Sequence, residues 1–430
     1  MDQFGFDQPI PYCPVCNQPW DEATNKEAHV SACLGEDHIP PFPAAPHNAS
    51  DTSDEIEILP SSTTTKPKQN PSIKPTSKSQ VNGVANLLIH IEKLLVQSIS
   101  DGRIRSAVVC NPDVLYIRTS SSLTDRGASD LTWGCGYRNI QMLFSAVRHL
   151  EAYRQALTSH PELNSQSPLQ AELSNKRPST SHNVGDPIEI PSIQSWQRII
   201  EEAWKKGFDT PGADSFSHKL VGKKKWIGTT EAYVAFTSLR IRARVIDFPN
   251  PTGPKGTHLG LTNWVRGAHQ SLQSSYFNGT SVSSNTPANG SASGHVSSII
   301  NTDKMPLYLQ HAGHSRTIVG FETDTQGNEN LLIFDPAKAV PTALKSLCGF
   351  MTSRSNLFSL KRLKSSNDSS QNPEPILDLS QHSKLLAPFR VSIKSLSRRD
   401  QYQILCVDNG PLLSPSELES RKVIVSTRIE

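Results

Sequence analysis

The chain has 430 residues and a formal net charge of +3, with 43 basic side chains against 40 acidic ones. Because the basic and acidic side chains are nearly equal in number, there is no electrostatic reason to expect a nucleic acid or a membrane surface as partner. No apolar run approaches the roughly 20 residues that a helix needs to cross a bilayer. The composition therefore points away from both classes of protein.

A metal-ligand pattern lies near the N-terminus. Cys13 and Cys16 are followed by His29 and Cys33, with the spacing C-x2-C-x12-H-x3-C. This spacing suits tetrahedral zinc, because the second pair stands one helical turn apart on a single face. A disulfide is the alternative, but three of the seven cysteines in so short a segment favour metal. We predict a C2HC zinc finger that holds a structural Zn²⁺.

The predicted finger spans residues 10–36. Lys26 is the only basic residue between its first and last ligands, which disfavours binding to DNA.

The segments after the finger differ in character. Residues 37–82 are rich in Pro, Ser, Thr and Lys and cannot bury a core, so we predict a disordered linker. From Val84 to Ile99, apolar residues recur at helical spacing, which predicts an amphipathic helix packed on the following domain.

A single cysteine between two glycines precedes the next helical pattern. Gly134, Cys135 and Gly136 are followed by apolar residues at helical spacing up to Leu150. The sulfur should lie at the first turn, where backbone N–H groups and the helix dipole favour a thiolate and can hold an oxyanion. A buried structural cysteine is the alternative.

Three short apolar runs further along predict neighbouring strands, at residues 307–310, 317–321 and 331–334. Turn residues separate the last two runs. His314 would therefore begin one strand, and Asp335 would end its antiparallel partner at the same edge of the sheet.

Such a pair supplies the base and the orienting carboxylate that a nucleophile requires. We predict that Cys135 attacks, that His314 takes and returns the proton, and that Asp335 fixes the imidazole. His311 is the alternative base.

The remaining patterns indicate an α+β body. Residues 193–203 have helical apolar spacing, and residues 402–407 read as a strand. Residues 239–248 alternate apolar residues with Arg, which predicts a strand with a solvated face; an anion site is the alternative. The prediction is a papain-like cysteine peptidase fold, with helices around a mainly antiparallel sheet.

Three segments rich in Ser, Asn and Pro interrupt this body, near residues 157–186, 270–301 and 364–381. We expect them to be disordered insertions in a domain that runs from residue 83 to 430.

The candidate residues stand in specific motifs. These are Trp-Gly-Cys-Gly-Tyr-Arg-Asn at 133–139, Ala-Trp-Lys-Lys-Gly-Phe-Asp at 203–209, Trp-Ile-Gly-Thr-Thr-Glu at 226–231, Gly-His-Ser-Arg-Thr at 313–317 and Leu-Leu-Ile-Phe-Asp-Pro at 331–336. They resemble the cysteine peptidases of family C78, discontinuously from about Gly83 to the C-terminus.

The family has two branches. In the branch that processes the ubiquitin-fold modifier, the catalytic His follows the Asp by two residues, where this chain has Ala337. The ubiquitin-directed branch takes its His from the strand that here carries His314. The resemblance implies a deubiquitinase that cleaves after the C-terminal glycine of ubiquitin, with a preference for long polyubiquitin chains of the open, non-degradative lysine linkage. A peptidase for the ubiquitin-fold modifier and a ubiquitin-binding scaffold with an idle triad are the alternatives.

The resemblance also suggests substrate-binding residues. Asp209 and Glu231 match acidic positions, and carboxylates pair bidentately with the arginines of the ubiquitin tail. An ordinary loop residue and a helix N-terminal charge are the alternatives. Trp133 and Tyr137 would shape the narrow channel for the Gly-Gly end.

The finger resembles small ubiquitin-binding zinc fingers, except that Ser31 stands where an Asp is common. A structural or partner-docking finger is the alternative. The helix before the cysteine would help to grip the distal ubiquitin. A free catalytic thiol and a zinc finger fit the reducing cytosol or nucleus, where we expect the protein.

Overall fold

The structure is a computed structural model that describes residues 81, 83–120, 129–163, 188–267, 276–277, 298–348 and 378–430. The predicted finger, with Cys13, Cys16, His29 and Cys33, lies outside these residues, as does the predicted linker apart from Val81. In the ranges described, no helix is both long enough and apolar enough to cross a membrane.

The helices lie around one sheet. In chain order they are α1 (Leu87–Ser100), α2 (Cys135–Val147), α3 (Glu151–Ser159), α4 (Ile193–Lys205), α5 (Thr210–Ser215), α6 (Thr229–Ser238), α7 (Leu259–Arg266), α8 (His382–Leu386), α9 (Ile393–Leu396) and α10 (Pro415–Ser420). Short 3₁₀ turns cover Pro254–Gly256, Leu379–Gln381 and Ala387–Phe389, and residues 342–348 are also helical.

The strands form a single mixed sheet. They are β1 (Ile104–Val109), β2 (Ala243–Phe248), β3 (Ser298–Asn301), β4 (Leu307–His311), β5 (His314–Asp324), β6 (Glu329–Phe334), β7 (Arg390–Ser392), β8 (Tyr402–Val407) and β9 (Ser426–Arg428). The order is β3-β1-β5-β4-β8-β2-β9, and β6 joins β5 to β7. Only the pairs β1–β3 and β2–β9 are parallel in the described sheet. The structure thus has the predicted α+β organisation with a mainly antiparallel sheet.

The β4–β5 hairpin sets the position of the candidate base. His311 and His314 are paired at its end, so Ala312 and Gly313 form a two-residue loop. Gly313 has a φ of 91°, a left-handed conformation that glycine adopts without a steric penalty. The tight loop therefore fixes His314 at the very edge of the sheet.

The core lies between the sheet and helices α1, α2, α4 and α6. The predicted apolar stripe of α1 is buried and packs on the domain, at Leu87, Leu88, Ile91, Leu94 and Leu95. Trp196 of α4 meets Phe144 of α2 edge to face, with ring centroids 5.2 Å apart. Helix α2 is buried along nearly its whole length, so Cys135 begins an element that the core holds on all sides.

Some residues inside the predicted insertions belong to the folded domain. Helix α3 continues to Ser159, and Leu163 is buried. Tyr276 stacks on Trp264 at 5.8 Å inside the core, and residues 298–301 form β3. These apolar side chains return to the core from polar sequence, which is why composition alone placed the boundaries wrongly.

The Arg-rich strand also differs from its prediction, because β2 begins only at Ala243. The arginines of this segment are partly exposed, with Arg242 and Arg244 at 22% and 38% of their side-chain surface, and both are paired with carboxylates. Arg242 makes a bidentate pair with Glu417 at 2.6 and 2.9 Å, and Arg244 makes one with Asp408 at 2.9 Å for both bonds. The C-terminal segment folds back over the strand and supplies these carboxylates.

Candidate active site

Three side chains that are far apart in sequence meet at one edge of the sheet. Cys135 is the first residue of α2, His314 is the first residue of β5, and Asp335 directly follows β6. His314 Nε2 donates to Asp335 Oδ1 at 2.8 Å, which leaves Nδ1 as the nitrogen available to the sulfur. The imidazole forms a hydrogen bond with the Cys135 thiol.

Burial governs the electrostatics of this group. The three residues are only 6%, 5% and 7% exposed. Burial alone would lower the pKa of His314, but the charge of Asp335 and the bonds to Asp335 and Cys135 raise it to about 9. Burial alone would raise the pKa of Cys135, but the hydrogen bond and charge of His314 outweigh it and lower that pKa. At neutral pH, the arrangement therefore favours a thiolate beside an imidazolium.

Asp335 is held in its charged form. Burial opposes ionisation, yet the charge and hydrogen bond of His314, followed by the charges of Arg316 and Lys338, hold its pKa well below the usual range. Arg316 Nε lies 3.3 Å from Oδ2, and the Ala337 N–H donates to Oδ1 at 3.1 Å. Arg316 was not predicted from sequence, although it stands two residues after His314 in the same motif.

The backbone under Asp335 is fixed as well. The Tyr116 hydroxyl donates to the Asp335 carbonyl at 2.6 Å, and the Thr119 N–H and hydroxyl both donate to the Pro336 carbonyl, at 2.8 and 3.0 Å. Both residues come from the segment after β1, which carries no motif that would have revealed this role.

His311, the alternative base, occupies a different environment. Its Nδ1 lies 2.8 Å from the Ala312 carbonyl oxygen, and its ring centroid lies 6.1 Å from that of His314. Burial, followed by the charges of Arg316 and His314, holds its pKa well below its usual value. The structure thus brings His314, and not His311, between the sulfur and Asp335.

A buried network that sequence analysis missed links α2 to β5. Asn139 is 0% exposed. Its Nδ2 donates to the Cys135 carbonyl and to Ser315 Oγ, both at 2.8 Å, and its Oδ1 accepts from Thr317 Oγ1 at 2.7 Å. The only available signal was that Asn139 lies in the Cys135 motif and the other two residues lie in the His314 motif.

The glycine after Cys135 allows a close approach of two elements. A β-carbon at Gly136 would lie 2.5 Å from the carbonyl oxygen of Ile227. Any other residue would push α2 away from the segment that leads into α6. The first-turn N–H groups of α2, including that of Cys135, lack partners within the helix by geometry and are candidates for holding an oxyanion.

The predicted acidic pair lies on two neighbouring helix starts. Glu231 is buried near the start of α6, where it accepts the Gly228 N–H at 2.6 Å and the Thr230 hydroxyl at 3.0 Å. Asp209 is the N-cap of α5, with a left-handed φ of 42°. Burial raises the pKa of Glu231, and the nearby charge of Asp209 adds to that rise. The charge of Asp209 thus acts on Glu231.

The two aromatic residues of the predicted channel differ in accessibility. Trp133 is partly exposed, and its indole donates to the Ser129 carbonyl at 3.0 Å. Tyr137 is completely buried and accepts a hydrogen bond from Gln197. Their rings meet edge to face at 5.7 Å. Contrary to expectation, Tyr137 presents no surface to a substrate, because its position in α2 turns it into the core; it supports Trp133 instead.

A resident metal is the remaining part of the sequence prediction. Within the described residues, no group of three or more His, Cys, Asp and Glu side chains is arranged to hold an ion. The predicted ligands Cys13, Cys16, His29 and Cys33 lie outside those residues.

Comparison with known proteins gives concordant results. The family model for "Peptidase family C78" matches residues 167–368, a range that contains His314 and Asp335 and begins after Cys135. A mouse zinc finger-containing ubiquitin peptidase 1 is 32% identical over 302 residues, which cover 70% of this chain and 37% of the relative. The human relative of that name is 36% identical over 216 residues, or 50% of this chain and 28% of its own length.

Two further proteins are similar. The fission yeast ubiquitin carboxyl-terminal hydrolase mug105 is 30% identical over 224 residues, which cover 52% of this chain and 65% of that protein. A crystal structure of UfSP from C. elegans superposes with a TM-score of 0.34 at 14% identity, over 75% of this chain and 38% of that one. The chain thus spans about a third of the length of its mammalian relatives. The matching family model and the curated relatives agree that the chain is similar to peptidase family C78 over the region that contains His314 and Asp335.

Proposed function

We propose that the protein is a cysteine-type ubiquitin peptidase that hydrolyses the bond after the C-terminal glycine of ubiquitin. The observation that carries the proposal is the buried line of sulfur, imidazole and carboxylate formed by Cys135, His314 and Asp335. The names of the mammalian and yeast relatives support ubiquitin as the substrate. A nucleophile at a helix start facing a base and an acid on strands also supports the papain-like assignment.

The proposed reaction has two stages. The Cys135 thiolate attacks the glycine carbonyl, and the first-turn N–H groups of α2 hold the resulting oxyanion. As the C–N bond breaks, His314 gives its proton to the leaving lysine amine, and a thioester remains. His314 then takes a proton from water, the hydroxide displaces the sulfur, and the free carboxylate leaves. Asp335 keeps the imidazole in the required orientation throughout.

The limited exposure of the sulfur favours a substrate that ends in glycine. Cys135 is 6% exposed, and partly exposed Trp133 stands two residues before it. A glycine has no side chain, so its carbonyl can reach a sulfur that is so little exposed. The side chain of a larger residue would clash with the residues around the sulfur. A Gly-Gly tail meets this condition.

The acidic pair is proposed to bind the arginines of that tail. Burial and the charge of Asp209 both raise the pKa of Glu231, so a guanidinium near the two carboxylates would stabilise the charged form of Glu231. We also propose the finer preference for long chains of the open, non-degradative linkage. It rests on family resemblance, as does ubiquitin binding by the finger and by α1. Cleavage of a panel of linkage-defined ubiquitin chains by the full protein tests the linkage preference. Cleavage of the same panel by a variant without residues 1–82 tests the contribution of the finger.

Zinc binding by the finger is proposed from its ligand spacing. The purified full chain should contain about one zinc ion per molecule, since four ligands complete one tetrahedral site. Cys13→Ser should remove most of it, while Cys406→Ala should retain it. Metal content that is absent from the parent protein, or unchanged by Cys13→Ser, would contradict the assignment.

Ubiquitin with an electrophilic C-terminus tests the peptidase proposal. We expect covalent capture by the parent protein and by Cys406→Ala, and none by Cys135→Ala. Binding without capture would support the idle scaffold instead. A matched probe built on the ubiquitin-fold modifier should react poorly, because Ala337 stands where the branch of the family that acts on that modifier has its catalytic His.

A further inference from the structure

Asn139 stands between the nucleophile and the strand of the base, and its amide orientation can be assigned from its partners. The Cys135 carbonyl can only accept a hydrogen bond, so the atom 2.8 Å from it is the amide nitrogen. Thr317 Oγ1, 2.7 Å away on the other side, then donates to the amide oxygen. Both ends of the amide are thereby fixed.

This orientation also determines the proton of Ser315. The second hydrogen of Asn139 Nδ2 points at Ser315 Oγ, 2.8 Å away, so the serine oxygen acts as acceptor there. The single hydroxyl proton of Ser315 must then go to another neighbour. Two are present: the sulfur of Cys135 and the hydroxyl of Tyr308, which itself faces the Ile227 carbonyl at 3.4 Å.

We propose that Asn139 is a positioning residue that fixes Cys135 on the strand of His314, and that it directs the hydroxyl proton of Ser315 to the sulfur. A negatively charged sulfur attracts the proton more strongly than a neutral phenol does. Ser315 is then a second stabiliser of the thiolate besides His314. Its side chain and backbone bonds both act to lower the pKa of the cysteine. The proposal rests on the proposed function only in giving this thiolate a catalytic use.

The network is well placed for such a task. Asn139, Ser315 and Thr317 are at most 2% exposed, so no water competes for their hydrogen bonds. Asn139 lies one helical turn after Cys135, and its partners on β5, Ser315 and Thr317, are the first and third residues after His314. A displacement of α2 against β5 would therefore strain these bonds.

The pH dependence of Cys135 alkylation by iodoacetamide tests the proposal without any ubiquitin substrate. Ser315→Ala should move the apparent pKa of the thiol upward by about one to two units, the size expected for a lost hydrogen bond to a charged group. Ser315→Thr keeps a hydroxyl, so the pKa of its Cys135 thiol should stay close to that of the parent protein. Asn139→Ala, which frees the Ser315 proton, should raise the pKa in the same direction.

Ser145→Ala is the matched control. Ser145 is also a buried serine, but it lies in α2 and forms hydrogen bonds with the backbone of Leu115 and Met142 instead of the sulfur. Its loss should leave the thiol titration unchanged. Thermal unfolding and circular dichroism verify that each variant is folded.

An alkylation pKa that stays at the parent value in folded Ser315→Ala would overturn the proposal, and so would an equal shift in Ser145→Ala. Hydrolysis gives a second readout. In Ser315→Ala, kcat should fall most at pH 6 and recover as the pH rises, with little change in KM. If the parent protein cleaves no ubiquitin substrate, the function is wrong, but the titration still decides the role of Ser315.

Discussion

Two regions of the molecule pair cations with carboxylates, and they differ chiefly in burial. At the candidate site, the side chains of His314 and Asp335 are 4% and 9% exposed. At the C-terminal segment, those of Arg244 and Asp408 are 38% and 34% exposed. Both pairs have good hydrogen-bond distances, 2.8 and 2.9 Å.

Similar hydrogen-bond distances therefore have different consequences in the two regions. Water screens the Arg244 pair, so it can contribute only modestly to stability. Water is excluded from the His314 pair, so each charge there strongly shifts its neighbours, and the effect reaches the sulfur of Cys135. Breaking the buried pair should change chemistry, whereas breaking the exposed one should change only stability, and slightly.

The largest effect should follow loss of the orienting carboxylate. Asp335→Asn keeps the side-chain shape but removes the charge that raises the pKa of His314. We expect kcat for ubiquitin hydrolysis to fall by about 10³-fold or more, measured with a fluorogenic ubiquitin C-terminal amide. His311→Ala is the control and should keep most of the activity. Equal losses in the two variants would show that the base was assigned wrongly.

The pH profile should report the same ion pair. The thiolate forms below the ordinary thiol range, because the pKa of Cys135 is lowered, and the imidazolium persists until the pH passes the His314 pKa of about 9. Activity should therefore rise at acidic to neutral pH and decline near pH 9. A rise that begins only above pH 8 would mean that no ion pair exists in the resting site.

A smaller effect is expected at the acidic pair. Glu231→Gln keeps an oxygen to accept the Gly228 N–H but removes the charge, and KM should rise about 10-fold for the loss of one charge-assisted pair. The value of kcat should change little. Glu202→Gln, on the exposed face of α4, should behave like the parent protein. An unchanged KM in Glu231→Gln would remove the acidic pair from the substrate site.

The smallest effect concerns the exposed pair. Arg244→Ala should lower the free energy of unfolding by about 1 kcal/mol or less, measured by urea denaturation, and should leave kcat and KM unchanged. A loss of several kcal/mol, or a loss of activity, would mean that this segment is coupled to the site.

How much of this could be predicted depended on the range of the interactions. Local patterns predicted α1, α2, α4 and the β4–β6 strands, and the Cys135 and His314 motifs predicted which residues meet. Asn139 and Ser315 were missed because their contact crosses 176 positions, and hydrogen-bond partners at such distance leave no periodic signal.

The errors have a related cause. Arg242 and Arg244 pair with carboxylates in a segment more than 150 residues away, so a strand pattern could not reveal that they were paired. Tyr137 was predicted near the substrate because its motif is, whereas the rotation of α2 about its axis decides that it faces the core.

The alkylation rate of each cysteine as a function of pH, followed by peptide mass spectrometry, tests most directly whether Cys135 is a thiolate paired with the His314 imidazolium. Cys348 and Cys406 provide internal references, because burial raises their pKa to about 11 and about 12. We expect Cys135 to be modified at pH 6 to 7, far ahead of Cys348 and Cys406, and we expect His314→Ala to abolish this advantage. Cys135 that reacts only at the alkaline pH of an ordinary thiol, with or without His314, would contradict this expectation.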